Sequence, residues 1–154
     1  TTRIGMTTPV QVKGVFDKPI NPIALAISLD VTFVARVFCG DMTQTKEIMK
    51  QAICHKGFAL VDIFQPCVSF NKINTFKWFK ENTYSLPADY DPSDRAAAFK
   101  KALEEEPFPL GIIYKSNHRK TFEENLDVYS NDKRPMYKRT FDPEMIREEI
   151  NAKV

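Results

Sequence analysis

The chain has 154 residues, 43% of them hydrophobic, and its 22 basic and 20 acidic residues leave a net charge of +2. This length suits one domain with a sizeable core, and the balanced charge argues against charge-driven disorder and against nucleic-acid binding, which usually shows as a strong basic excess. No apolar run approaches the ~20 residues that a membrane-spanning helix needs, and no signal peptide is visible. We therefore expect a cytosolic protein that neither enters a membrane nor binds nucleic acid.

Residues 21–64 predict an alternation of helices and strands. Asn21 is a suitable N-cap and Pro22 a suitable first helical residue, and Asp41 can cap a second helix. β-branched and aromatic runs without helical spacing predict buried strands. The predicted elements are a helix over 22–29, a strand over 31–38, a helix over 42–55 and a strand over 58–64.

A strand, a helix and a second strand in succession are typical of a parallel pair with a crossover connection, which predicts an α/β fold. Cys39 and Cys67 follow the two predicted strands, at the edge where ligands gather in open α/β sheets. Two of the three cysteines are therefore expected at one edge of the sheet.

After Cys67 the pattern becomes less regular. Asp91 or Ser93 is suited to begin a long helix that Pro107 would end. The predicted elements are a short aromatic turn or helix over 75–80, a helix over 92–106, a strand over 110–114, one or two helical turns over 121–126 and a helix over 144–152.

The histidines and the glutamate cluster, residue types that often act in catalysis, are better explained here by structural roles. His55 lies at a predicted helix end and His118 in a polar loop, so both suit capping or surface roles, and Glu104–Glu106 suits a solvated helix end. The phosphate-binding motifs GxGxxG and GxxxxGK[ST] are absent. We predict no catalytic residue in this chain.

The three cysteines form no CxxC pair, which argues against a disulfide framework and a zinc site. From spacing alone, Cys67 is either a buried structural thiol or one ligand of a group that other residues complete. Pro66 stiffens its loop, and thiolates are the preferred ligands of iron–sulfur clusters. Both interpretations stay open at this point.

The run HKGFALVDIFQPCVSFN over 55–71 resembles the β subunit of 2-oxoacid:ferredoxin oxidoreductases, the pyruvate and 2-oxoglutarate synthases of anaerobes and archaea. TFVAR over 32–36, PLGIIYK over 109–115 and TFEE over 121–124 resemble the same subunit. The phrase QPC, which ends in Cys67, is the most specific part of the resemblance.

The resemblance implies the C-terminal part of that subunit. Residues 1–72 would be the closing portion of a thiamine-diphosphate-binding parallel sheet with flanking helices, and 73–154 a less regular extension. The family binds thiamine diphosphate and Mg²⁺ through residues that precede this segment, and holds a [4Fe-4S] cluster with four cysteines. Only the fourth cysteine maps onto this chain, as Cys67, so Cys67 is the one predicted metal ligand, whereas Cys39 and Cys54 are expected to be core thiols.

The implied activity is oxidative decarboxylation of a 2-oxoacid to acyl-CoA and CO₂, with electrons passed through the cluster to ferredoxin and an α subunit as partner. The isolated segment would be inactive. One alternative is a non-catalytic subunit-interaction domain with a buried structural cysteine. Another is a different thiamine enzyme, a decarboxylase or an acetolactate synthase, which has no need of a cysteine at the position of Cys67.

Overall fold

The computed structural model describes residues 4–153 and divides them into two units, one ending at Arg119 and the other starting at Lys120. The first unit contains a four-stranded sheet and four α-helices, and a fifth α-helix lies in the second unit. The strands are β1 (Phe33–Phe38), β2 (Ala59–Phe64), β3 (Thr83–Ser85) and β4 (Phe108–Lys115). The helices are α1 (Pro22–Ser28), α2 (Met42–Cys54), α3 (Phe76–Glu81), α4 (Arg95–Ala102) and α5 (Pro143–Asn151).

The strand order is β2-β1-β4-β3, and β1 lies parallel to β2 in a continuous register from Phe33–Ala59 to Phe38–Phe64. The predicted α/β fold and its parallel pair are therefore confirmed. The sheet as a whole is mixed, which differs from the purely parallel sheet that we expected. The reason is β4, which pairs antiparallel with β1, while β3 is parallel to β4.

Strand β1 is the centre of the fold, because every one of its residues is buried. Its alternate side chains enter two different apolar clusters, as the two-residue period of a strand requires. On one side Phe33, Ala35 and Val37 pack with Ile48 of α2. On the other side Val34 joins a cluster from α1, α4 and β4, whose members are Ile23, Ala24, Ala26, Ile27, Ala98, Ala102, Ile113 and Tyr114.

The two predicted helix caps are present. The Asn21 Oδ1 accepts a hydrogen bond from the Ala24 amide at 3.0 Å, and the Asp41 Oδ1 accepts one from the Gln44 amide at 2.9 Å. Asn21 also donates through Nδ2 to the Ala102 carbonyl at 2.8 Å, which ties the start of α1 to the end of α4. One side chain thus caps a helix and joins two distant parts of the chain.

Helix α4 is shorter than the predicted span 92–106. The cap is Asp94, whose Oδ1 accepts from the Ala96 and Ala97 amides at 2.9 and 3.0 Å, whereas Asp91 is engaged by the Ser93 amide in the preceding turn. After Ala102, Glu104 binds Lys101 and the Tyr84 hydroxyl instead of continuing the helix. Alternative side-chain partners at both ends therefore shorten the helix.

The unit that starts at Lys120 contains three short 3₁₀ turns and α5, in agreement with the predicted turn near 121–126 and the predicted last helix. None of its described residues is buried. Its best-anchored side chain is Arg139, whose guanidinium donates to the carbonyls of Val128, Asp132 and Arg134. The guanidinium carbon lies 4.7 Å from the Tyr129 ring centre. The predicted domain boundary at 72/73 stays a prediction.

Among residues 4–153, none of the helices combines the length and the apolar composition that crossing a membrane would require.

Candidate functional site

Cys39 and Cys67 both follow the C-terminal ends of parallel strands, as predicted. The register pairs Phe38 with Phe64, and the Cys39 amide donates to the Phe64 carbonyl at 3.1 Å just beyond the strands. Cys39 is half-buried against the adjoining aromatic side chains, whereas Cys67 is exposed. Cys67 is thus the thiol that the sheet edge presents to solvent.

The Cys67 sulfur accepts hydrogen bonds from the backbone of the turn that follows it. The Phe70 amide lies 3.4 Å from Sγ. Hydrogen bonds from the amides of Phe70, Ser69 and Asn71, in that order of effect, lower the pKa of the Cys67 thiol below its usual value. A thiol with a lowered pKa and an open position is the kind that binds metals or acts as a nucleophile.

The segment that follows this turn is held by Asn71, for which no role was predicted from the sequence. Its Oδ1 accepts from the Ile73 and Asn74 amides at 3.0 and 2.9 Å, and its Nδ2 donates to the Asn74 Oδ1 at 2.9 Å. Asn74 is buried, with 2% of its surface exposed. The signal in the sequence was the pair of asparagines spaced three residues apart, a pattern that favours side-chain bonds to nearby backbone amides.

Helix α3 anchors the other end of this loop through Phe79, which is 1% exposed. Its ring centre lies 5.6 Å from that of Phe38 and 5.0 Å from that of Phe64, so it touches the last residues of both parallel strands. Phe76, on the same helix, is 51% exposed. The predicted aromatic segment therefore supplies a core residue that fixes the position of the cysteine loop.

Two expectations about the cysteines were wrong. Cys54 is exposed and not a core thiol, because it lies two residues beyond Ala52, which packs toward the sheet, and two residues turn an α-helix by roughly 200°. The alternative of a buried structural thiol at Cys67 is also wrong, since Cys67 is exposed.

The two histidines occupy the places that the sequence indicated. His55 is the C-cap of α2, where its Nε2 lies 2.9 Å from the Thr32 hydroxyl; burial, and secondarily the charge of Lys115, lower the pKa of His55. His118 is exposed and its Nε2 lies 3.4 Å from the Asp30 carboxylate. Both contacts suit structural roles.

Within residues 4–153, no three His, Cys, Asp or Glu side chains come together as a group that could hold a metal ion. Among these residues Cys67 is therefore not part of a complete metal site. The chemistry of that donor fits iron–sulfur ligation, because the sulfur is accessible and its thiolate is stabilised.

We expect Cys67 to react as a thiolate at lower pH than an unperturbed thiol. In the chain carrying Cys39→Ser and Cys54→Ser, the rate of alkylation by iodoacetamide, followed by mass spectrometry against pH, should reach its half-maximum below that of N-acetylcysteine, because amide donors stabilise the anion. Phe70→Pro, which removes the amide that donates to Sγ, should move the midpoint upward. A midpoint that coincides with that of N-acetylcysteine would contradict the role of the amides.

Comparison with known proteins gives a consistent result. The family model that describes the C-terminal part of the pyruvate ferredoxin oxidoreductase β subunit matches residues 67–141. A 2-oxoacid:ferredoxin oxidoreductase β subunit of Sulfolobus sp is 38% identical over 72% of this chain and 40% of its own length. A β subunit of the same kind from Aeropyrum pernix is 43% identical over 70% of this chain and 37% of its own length.

The fold comparison extends over nearly the whole chain. The structure of 2-oxoglutarate:ferredoxin oxidoreductase from Magnetococcus marinus, with 2-oxoglutarate, coenzyme A and succinyl-CoA bound, matches with a TM-score of 0.83 and 30% identity. The match covers 97% of this chain and 50% of that chain, so this chain spans half or less of the length of these relatives. Sequence, fold and the QPC segment agree, and the chain belongs to the β-subunit family of the 2-oxoacid:ferredoxin oxidoreductases.

Proposed function

We propose that this chain is part of the β subunit of an enzyme that oxidatively decarboxylates a 2-oxoacid, pyruvate or 2-oxoglutarate, to acyl-CoA and CO₂, with ferredoxin as the electron acceptor. The support is the shared family and fold, together with relatives that carry this kind of name. In this proposal the thiamine diphosphate and Mg²⁺ sites lie on polypeptide other than residues 4–153.

We further propose that Cys67 is one of the four cysteine ligands of a [4Fe-4S] cluster. The observation that carries this proposal is the exposed Sγ, which lies beyond a strand end and accepts a hydrogen bond from the Phe70 amide. The cluster, when bound, supplies one-electron transfer. The other three ligands would come from outside the described residues.

The residues of this chain have separate tasks in that proposal. Strand β2 and Pro66 place the sulfur at the sheet edge, and the turn that the Asn71 amide closes onto the Cys67 carbonyl brings the Phe70 amide to the same sulfur. Hydrogen bonds to a cluster sulfur are one of the ways in which a protein sets the reduction potential. The Phe70 amide would therefore be the backbone group of this chain that acts on the cluster through Cys67.

The surroundings of Cys67 favour a contact with further protein. Val68, Phe70 and Ile73 are 72%, 57% and 56% exposed, which places three large apolar side chains beside the thiol. Apolar groups that cluster at a surface mark interaction sites. We propose that this surface faces the partner polypeptide of the enzyme, an α subunit, and that the complex is cytosolic, where three free thiols are expected to stay reduced.

The test is Cys67→Ser in the β subunit that contains this chain, purified anaerobically together with its co-expressed partner subunit. We expect the iron content to fall below about four atoms per β subunit and the electron paramagnetic resonance signal of the reduced cluster to change or disappear, because a ligand sulfur is lost. Electron transfer from a 2-oxoacid to ferredoxin should fall with it.

Cys54→Ser is the matched control, since Cys54 is also an exposed thiol but lies at the end of α2. We expect this variant to keep its iron and its activity. A Cys67→Ser enzyme with full iron content, an unchanged spectrum and normal electron transfer would remove the assignment.

A further inference from the structure

A cleft of ≈ 600 Å³ opens over the face of the sheet, with Arg36 of β1 and Asp62 of β2 among its lining residues. The other lining residues come from the segment before α1 and its first residue, from the end of β2 and the loop that follows it, from α3, and from the segment before β4 and its first residue. This volume lies within the range of ~300–1,000 Å³ that is usual for small-molecule sites.

Arg36 is the unusual residue in this cleft, because a guanidinium is buried on a strand with only 4% of the residue exposed. Its Nε donates to the Asp62 Oδ2 at 2.8 Å. The guanidinium carbon lies 4.9 Å from the Phe64 ring centre and 5.5 Å from the Phe108 ring centre. The charge is therefore partly satisfied by one carboxylate and by two aromatic faces.

One terminal nitrogen of Arg36, Nη1, is buried and has no hydrogen-bond acceptor among the described residues. Buried polar groups nearly always have a partner, and an arginine has five N–H donors and no acceptor. The missing partner must therefore bring an oxygen or another acceptor atom. Arg36 is the one cation among the described lining residues, and the carboxylate of Asp62 already pairs with it.

Because the Arg36 charge is paired with Asp62 and Glu105 adds a carboxylate to the lining, an anion is disfavoured, and the aromatic side chains Phe64, Trp78 and Phe108 favour a flat apolar body. We propose that the cleft binds an uncharged, flat molecule with a carbonyl oxygen, of the aromatic amide class, whose oxygen accepts from Arg36. This site is separate from the proposed cluster ligand and does not depend on that assignment.

The probe is benzamide, with benzoate as its isosteric anion, added to the ¹⁵N-labelled 154-residue chain. Trp78 is the chain's single tryptophan, so its indole N–H gives one resonance, and the Nε–H resonance of Arg36 is identified by its loss in Arg36→Lys. We expect benzamide to shift both resonances saturably and benzoate to bind about tenfold more weakly, as expected for loss of about 1.4 kcal/mol.

Ile20→Tyr fills the cleft from an exposed position, because Ile20 lines it and is 79% exposed. Val12→Tyr is the matched control, since Val12 is 78% exposed and does not line the cleft. We expect Ile20→Tyr to abolish the benzamide shifts and Val12→Tyr to leave them unchanged.

Absence of saturable shifts in the unmodified chain, or tighter binding of benzoate than of benzamide, would overturn the proposal. Equal loss of the benzamide-induced shifts in the Ile20 and Val12 variants would also overturn the proposal. Because neither exposed substitution touches the core and the single Trp78 resonance needs no variant for its assignment, the comparison of these two variants does not rest on the Arg36 variant being folded.

Discussion

Replacing Phe79 with alanine is expected to lower the free energy of unfolding by about 3–5 kcal/mol, the usual cost of truncating a fully buried phenylalanine. Phe79 is 1% exposed, and its ring packs against the final residues of β1 and β2. The cost has two parts, the lost burial of the ring and the cavity left between two strands that cannot close around it. Urea denaturation followed by far-ultraviolet circular dichroism measures the difference.

Phe76→Ala is the control for this prediction, because Phe76 lies on the same helix with half of its surface exposed. Its ring has one aromatic contact, with Phe38 at 5.7 Å. We expect Phe76→Ala to lower the free energy of unfolding by about 1 kcal/mol or less, as surface substitutions with few contacts usually do. Similar losses for the two variants would show that the aromatic cluster around Phe79 does not carry the expected share of the stability.

The second large effect is expected at the ion pair of Arg36 and Asp62. Asp62→Ala should lower the free energy of unfolding by about 3 kcal/mol, because it leaves a buried guanidinium without its carboxylate. This value is near the lower end of the costs measured when one partner of a buried ion pair is removed. The side chains are 5% and 23% exposed, so the charge that remains is the more deeply buried one. The free energy of unfolding from urea titration is again the measurement.

Replacing both partners separates the pair's attraction from the cost of leaving one charge alone. We expect Arg36→Met with Asp62→Leu to recover most of the stability lost in Asp62→Ala, because apolar residues of similar volume replace a buried pair at little cost. Glu81→Gln, which breaks the exposed pair with Lys77, should change the stability by about 0.5 kcal/mol or less. A double variant as unstable as the single one would contradict this account of the pair.

Local features of the chain could be predicted because the atoms involved are close in sequence. Asn21 and Asp41 bond to amides three residues away, so their capping roles follow from residue type and position alone. The parallel pair follows from two apolar runs separated by one amphipathic helix. The position of Cys67 beyond the second strand follows from the same pattern.

Features that depend on contacts between distant residues could not be predicted in this way. The direction of β4 is decided by its pairing with β1, more than seventy residues earlier, where Ala35 meets Ile112 and Arg36 meets Gly111. The exposure of Cys54 depends on which face of α2 meets the sheet. Hydrophobic spacing predicted the helix, but not the side of it on which a small residue near its end would lie.

Residue order alone was therefore enough for the identity and succession of most elements, the caps of two helices and the phrase that places Cys67 in a known family. Packing of the folded chain was needed to establish which thiols are open to solvent, that the Phe70 amide meets the Cys67 sulfur, and that Arg36 and Asp62 meet across two strands. The physical reason is range. Capping and periodicity act within about one helical turn, whereas burial and ion pairing exist only after segments far apart in the chain have packed together.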